Sequence, residues 1–116
     1  AGGKDRRRAL TLQALADGMG SAAIAVVRER MRPEGDQRPE LIERQLKAIV
    51  AGLDLLEGEG FTNARWTIAE IAVAAQLAYF DARKVVDWRV GRSALSAWFE
   101  AASRRSSMVV TSVQLA

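Results

Sequence analysis

The sequence predicts an all-α fold, in which four to five helices form one bundle around a buried central helix. Its apolar residues recur at intervals of three and four, the period of a helix with one buried side, rather than in strand-like alternation. Both prolines, Pro33 and Pro39, lie in the loop-like segment RPEGDQRP and interrupt no apolar stripe. A chain of 116 residues, 49% hydrophobic and 27% charged, suits one globular domain, which we expect to span residues 1–116.

The first two helices are expected at about residues 5–32 and 40–57, on either side of that loop. The residues expected on their core sides are Leu12, Leu15, Met19, Ala22 and Val26 in the first helix, and Ile42, Leu46, Ile49, Leu53 and Leu56 in the second. Gly18 and Gly20 interrupt the first helix and cost about 1 kcal/mol each relative to alanine. We therefore expect a bend or a close helix contact at these glycines.

The third helix, at about residues 67–84, has a clear start signal. Thr67 followed by Glu70 is a capping box, in which each side chain satisfies a backbone amide of the other residue. Trp66 and Ile71 have the spacing of a hydrophobic staple across this cap. From Ile71 to Phe80 the only strongly polar residue is Gln76, so we expect this helix to be enclosed by its neighbours on every side.

The fourth helix is expected at about residues 93–104. Its core side consists of Leu95, Trp98, Phe99 and Ala102. The last segment, residues 105–116, contains MVVTSVQL, whose composition alone is typical of a strand. As an isolated candidate it has no strand to pair with, so we interpret it as a tail or a short last helix.

Cysteine and histidine are both absent from the chain. Their absence excludes disulfides, thiolate nucleophiles, the most common general base and the usual zinc ligands, so we predict no metal site. Any chemistry would have to come from serine, threonine, Tyr79, carboxylates or lysine, and the composition points to no catalytic residue among them. No apolar run approaches the roughly 18 residues that a membrane-spanning helix needs, and the N-terminal residues show no signal-sequence pattern. These features favour a cytoplasmic protein without a membrane partner.

The formal net charge is +3, and Arg6, Arg7 and Arg8 form a basic run near the start. The other arginines alternate with acidic residues, so no basic stripe favours a nucleic-acid partner. The excess of arginine over lysine in this alanine-rich chain is typical of a GC-rich genome. Three arginines in the first turn of a helix oppose its dipole. Either the helix begins later, or acidic groups of another domain or partner lie nearby.

The start of the third helix carries a resemblance to a known family. The segment FTNARWTIAEIA resembles the capped central helix in the C-terminal domain of glutathione S-transferases. Three further segments, LQALADGMGSAA, RPELIERQLKAIVAGLDLLEGE and AYFDARKVVDWRVGRSALSAWFEAASRRSSM, resemble other parts of that domain in the same order. The resemblance extends from Leu10 to Met108. The chain departs from the family at Glu70, where aspartate is usual, and at Ser93 and Ser106, where proline is frequent.

The resemblance implies a protein of two parts. Members of this family carry most of the glutathione site in an N-terminal thioredoxin-like domain, and the chain shows no βαβ pattern of that kind. The chain is thus expected to be the second half of a bacterial, homodimeric transferase whose parent conjugates glutathione to small hydrophobic electrophiles in detoxification. By itself it is expected to bind no cofactor and to be inactive. The alternative is a non-catalytic helical protein-interaction module of the same fold.

The resemblance also implies that the first helix lines the substrate cleft. The residues opposite its core side, which are the candidate substrate-facing residues, are Leu10, Ala14, Asp17, Ser21 and Arg28. Asp17 or Ser21 is expected to reach glutathione in the partner subunit, although each could instead be a solvated side chain beside the glycines. Tyr79, Trp88 and Trp98 are interpreted as packing residues.

Overall fold

The computed structural model describes residues 2–105, in which every regular element is helical. The helices are α1 (Gly2–Arg30), α2 (Pro39–Glu57), α3 (Ile68–Arg83) and α4 (Ser93–Ala102), and a short 3-10 turn, Glu34–Asp36, lies in the α1–α2 loop. The all-α fold class is therefore confirmed, and the helix ends differ from the expected positions by at most three residues. Residues 106–116, which make up nearly all of the expected tail, lie outside the described part of the chain.

The longest helix, α1, organises the bundle, because α2 and α3 both pack along it. Met19 of α1 lies beside Gly52 of α2, and Glu29 near the end of α1 binds Arg38 just before α2, so these two helices are antiparallel. By length and composition alone, residues Gly3–Arg30 could cross a bilayer. The core helix of a globular protein meets the same criterion, and α1 buries one side against its two neighbours.

The two glycines of α1 differ in their surroundings. A Cβ atom at Gly20 would lie 2.6 Å from Nε2 of Gln76 in α3, whereas no atom lies within 4 Å of the equivalent position at Gly18. Helix α1 is continuous through both residues. The expected close contact therefore occurs at Gly20, where the missing side chain makes room for Gln76.

Helix α3 is the central helix, but it is not enclosed on every side. Its buried residues are Ala69, Glu70, Val73, Ala74, Leu77, Ala78 and Phe80. Ile68 is 68% exposed and Ile71 is 39% exposed. The expectation of complete enclosure is wrong at these positions, because none of the described helices covers the outer side of the α3 N-terminus.

The start of α4 is stabilised by a residue from another helix. Glu57, the last residue of α2, accepts hydrogen bonds from the backbone amides of Ala94 (3.1 Å) and Leu95 (2.8 Å). A carboxylate at this position satisfies free amides of the first turn and complements the helix dipole. The cap fixes the end of α2 to the beginning of α4, whose core side, Leu95, Trp98, Phe99 and Ala102, is buried as expected.

Candidate functional site

The five candidate substrate-facing residues all lie on the exposed side of α1. Leu10, Ala14, Asp17, Ser21 and Arg28 are exposed along the helix, whereas the opposite side is buried against α2 and α3. Their spacing of three, four and seven residues places them on one face. We call this set the outer face of α1.

Ile24 is a further residue of the outer face, beyond the five candidates. Ile24 is 45% exposed and follows Asp17 by seven residues, so it lies on the same side of the helix. Its apolar side chain alone suggests a core residue, although the helical spacing places Ile24 outside the core stripe. With Leu10, it gives the outer face an apolar component that is suited to hydrophobic molecules.

A groove between α1 and α2 begins at one edge of the outer face. Its volume is about 430 Å³, and its lining residues are Ala14, Leu15, Gly18 and Met19 of α1 with Ala48, Ala51, Gly52 and Leu55 of α2. The small side chains of both helices create the depression. Ala14 therefore connects the outer face to a concave apolar surface, which the sequence did not predict.

A second apolar groove, of about 460 Å³, follows the first half of α2. Its lining residues are Gln37, Pro39, Ile42, Glu43, Leu46, Lys47 and Val50. Ile42 and Leu46 were expected on the core side of α2 but are only half-buried, because α1 covers the second half of α2 more completely. Glu43 and Lys47 form an exposed ion pair, 3.6 Å apart, at the edge of this groove.

A cluster of charged residues joins the N-terminal ends of α1 and α3. Arg8 donates from Nε to Glu59 and from Nη1 to Glu70, each over 2.9 Å. Glu70 is completely buried, and Oε1 of the same carboxylate accepts from the backbone amide of Thr67 (2.9 Å) and from its hydroxyl group. Thr67 in turn accepts from the amide of Ala69 (3.3 Å).

The capping box is present, and it is also the centre of this charged cluster. Burial disfavours the charged form of Glu70, but the hydrogen bonds from Thr67 and Arg8 outweigh it and hold the pKa of the carboxyl below its usual range. Because a carboxylate with several donors and a lowered pKa is a poor general base at neutral pH, we assign Glu70 to structure rather than to catalysis.

The acidic partners of Arg8, the last residue of the arginine run, come from this chain itself. The helix begins before the run, at Gly2, so the expectation of a later start is wrong. Arg8 pairs with Glu59 and Glu70, and Asp5 lies 3.8 Å from Arg65. The sequence could not show these pairs, because their members are about 50 or more residues apart.

The tryptophans that the sequence assigns to the staple or to packing contact other side chains. Trp66 is half-buried, with its ring 6.3 Å from that of Trp98 and beneath the guanidinium group of Arg105. Trp88 is fully buried and donates from Nε1 to Asp81 over 3.0 Å. Tyr79 is half-buried. The staple between Trp66 and Ile71 stays a prediction.

Within residues 2–105, no three histidine, cysteine, aspartate or glutamate side chains are grouped closely enough to hold a metal ion. The outer face of α1 offers apolar contact through Leu10 and Ile24, and hydrogen bonds or charge through Asp17, Ser21 and Arg28.

Comparison with known proteins identifies one family. Residues 39–101 match the family described as glutathione S-transferase, C-terminal domain. The GST-like protein YibF of Escherichia coli K12 is 34% identical over 109 residues, which are 90% of this chain and 54% of YibF.

Solved structures of similar proteins share the fold. A glutathione transferase family member from Pseudomonas fluorescens Pf-5, with bound glutathione, superposes with a TM-score of 0.87 at 35% identity, over 94% of this chain and 55% of that protein. A glutathione S-transferase from Methylobacillus flagellatus KT, also with glutathione bound, gives a TM-score of 0.78 at 33% identity, over 89% and 54% of the two chains. The chain thus spans about half the length of the relatives it matches.

Proposed function

The chain belongs to the glutathione S-transferase family, and we propose that it is the C-terminal helical half of a transferase that conjugates glutathione to small hydrophobic electrophiles. The observation that carries this proposal is the match of nearly the whole chain to one half of proteins that bind glutathione. The remaining half of the parent would be the thioredoxin-like domain with most of the glutathione site.

In this proposal the outer face of α1 forms one wall of the cleft for the electrophile. Leu10 and Ile24 supply apolar contact area, and Ala14 leads into the groove against α2. Asp17 and Ser21 are one turn apart and both exposed, so either can hydrogen-bond to glutathione held by the other half or by a partner subunit. Arg28, at the far end of the face, is suited to a carboxylate of the ligand.

We further propose that the parent is a cytoplasmic homodimer of bacterial origin, active in detoxification. The support is family membership and the bacterial source of the relatives. The isolated chain is proposed to be inactive, because most of the glutathione site, including the residue that would activate the thiol, is expected in the thioredoxin-like half.

Conjugation of glutathione to a chromogenic electrophile such as 1-chloro-2,4-dinitrobenzene tests this function. The parent protein should catalyse the reaction, and the chain of residues 1–116 should not exceed the uncatalysed rate. A parent that binds no glutathione and conjugates none of a panel of aromatic and alkyl electrophiles would refute the proposal. That outcome would favour the alternative, a non-catalytic interaction module of the same fold.

Substitution of one residue in the outer face tests whether α1 lines the electrophile cleft in the parent. Replacing Ile24 with serine should raise KM for the electrophile more than KM for glutathione, because it removes apolar contact from one wall only. Val90→Ser, at another exposed apolar residue in the α3–α4 loop, is the matched control. Equal effects of the two substitutions would show that the outer face is not part of the cleft.

A further inference from the structure

The C-terminal end of the outer face of α1 combines two large exposed apolar side chains with one cation. Ile24 is 45% exposed, Met31 is 78% exposed, and Arg28 between them is also exposed. The amide of Met31 donates to the carbonyl groups of Val27 (3.1 Å) and Arg28 (3.2 Å), so Met31 continues the last turn of the helix. The spacing of four and three residues places Ile24, Arg28 and Met31 on one side. We call these three residues the Arg28 patch.

Arg28 differs from the neighbouring arginines in its lack of an acceptor. Arg30 donates from Nη1 to two backbone carbonyl groups at and just after the end of α3, over 3.1 and 3.2 Å. Arg32 and Arg38 both pair with Glu29, at 3.7 and 3.2 Å. Arg28 forms no hydrogen bond or ion pair through its side chain within the described part of the chain. Its guanidinium group is therefore available to a ligand.

The sequence around Arg28 provides it with no acid. On a helix, the partner of an arginine stands three or four residues away. Those positions are occupied by Ile24, Ala25, Met31 and Arg32. An unpaired cation beside exposed apolar area is complementary to a molecule that has both a negative group and an apolar body.

We propose that the Arg28 patch selects electrophiles that carry a carboxylate on an apolar body. Arg28 binds the carboxylate, and Ile24 and Met31 contact the body. The proposal rests on the proposed function and names its substrate class. A guanidinium group holds a carboxylate through two parallel hydrogen bonds, and apolar surroundings strengthen such a pair by lowering the local dielectric constant.

The dimensions and position of the patch suit a substituted benzoate. Ile24 and Met31 are seven residues apart, which is about 10 Å along the helix axis. Ser21, one of the two candidate contacts to glutathione with Asp17, precedes Ile24 by three residues, or about 4.5 Å of helix rise. An electrophile on the patch would therefore lie beside the bound glutathione, with its carboxylate at Arg28 on the side farther from the tripeptide.

Aromatic substitution is a suitable reaction for such an electrophile. The glutathione sulfur forms a bond to the ring carbon that carries chlorine, the carbon–chlorine bond breaks, chloride leaves, and the thiol proton passes to solvent. The carboxylate takes no part in this exchange and keeps its charge throughout. Arg28 therefore acts on binding and orientation, and it determines specificity for the electrophile.

A pair of electrophiles that differ in one charge tests this role. The parent protein is assayed with 4-chloro-3,5-dinitrobenzoate and with its methyl ester at saturating glutathione, and each kcat/KM is divided by the uncatalysed rate constant to remove intrinsic reactivity. The normalised value should be about tenfold higher for the acid, as expected for one charge-assisted interaction. Arg28→Gln should remove this preference through a higher KM for the acid. Arg28→Lys, which keeps the charge but not the planar fork, should retain part of it.

Two matched variants serve as controls. Arg44→Gln removes the same charge from an exposed residue of α2 that forms no ion pair in the described part of the chain, so the preference should stay unchanged. Ile24→Ser should lower kcat/KM for the acid and the ester alike, because both have the same ring. Equal normalised values for the two compounds in the unchanged parent would overturn the proposal. A preference that Arg28→Gln and Arg44→Gln reduce equally would also overturn it.

The neutral electrophile 1-chloro-2,4-dinitrobenzene separates this failure from failure of the proposed function. A parent that conjugates it but shows no preference for the benzoate refutes only the role of Arg28. A parent that conjugates none of the three compounds refutes both proposals.

Discussion

Replacing Arg8 with methionine should destabilise the chain substantially, although Arg8 belongs to a run of three arginines near the N-terminus. Methionine keeps most of the apolar stem but removes both ion pairs. Glu70 would remain fully buried and lose the guanidinium group 2.9 Å away. Arg7, one residue earlier, is exposed and forms no ion pair among the described residues, so Arg7→Met is the matched control.

The magnitude follows from the geometry. Removing one partner of a fully buried ion pair costs roughly 3–5 kcal/mol. The side chain of Arg8 is 22% exposed, and Glu70 keeps its bonds to Thr67, so about half of that value, ~2 kcal/mol, is expected. An unfolding entropy of about 2.1 cal/mol/K per residue converts this to a decrease of roughly 8 °C in Tm.

Thermal unfolding followed by circular dichroism at pH 7 measures both variants. The Tm of Arg7→Met should lie within about 1 °C of the Tm of the unchanged chain, as is usual for substitutions of exposed residues. Glu70→Gln in the Arg8→Met background should recover part of the loss, because no buried charge then remains. Equal Tm values for Arg7→Met and Arg8→Met would refute the role assigned to the charged cluster.

The same variant has a pH signature. The pKa of Glu70 is lower in the folded chain than in the unfolded chain, so its contribution to stability is present above the unfolded value, about 4.3, and is lost as pH falls through the folded value. The difference in Tm between the unchanged chain and Arg8→Met should therefore be largest near neutral pH and decrease in acid. A difference that is constant with pH would contradict this assignment.

Four further substitutions test individual contacts by thermal unfolding. Thr67→Ala removes the helix cap and should cost about 1 kcal/mol, and an unchanged midpoint would mean that the capping box contributes nothing. Gly52→Val should cost about 1–3 kcal/mol, because its Cβ would lie 2.8 Å from Sδ of Met19. Gly18→Ala, with no atom within 4 Å, should instead stabilise by up to about 1 kcal/mol, and equal shifts at the two glycines would refute the packing difference. Glu57→Gln should cost about 0.5–1 kcal/mol through the weaker cap of α4, and a larger loss in 1 M salt than in dilute buffer would contradict an electrostatic contribution.

The helices and their core sides could be predicted because they depend on local spacing. The stripe from Leu12 to Val26 repeats over consecutive turns of α1, and the cap at Thr67 depends on residues within the first turn of α3. The outer face of α1 followed as the complement of its core stripe. The incomplete enclosure of α3 could not be predicted in this way, because apolar composition does not show whether a neighbouring helix packs on Ile71.

The sequence by itself determined the fold class, the order of the helices and the family to which the chain is related, since periodicity and capping are properties of neighbouring residues. Only the tertiary structure decided the partners of Arg8, the cap that Glu57 provides for α4, and the position of Gln76 against Gly20. Each of these contacts joins residues 37 to 62 positions apart. They form only when helix packing brings distant segments together, and the local spacing of residues does not determine which distant segments meet.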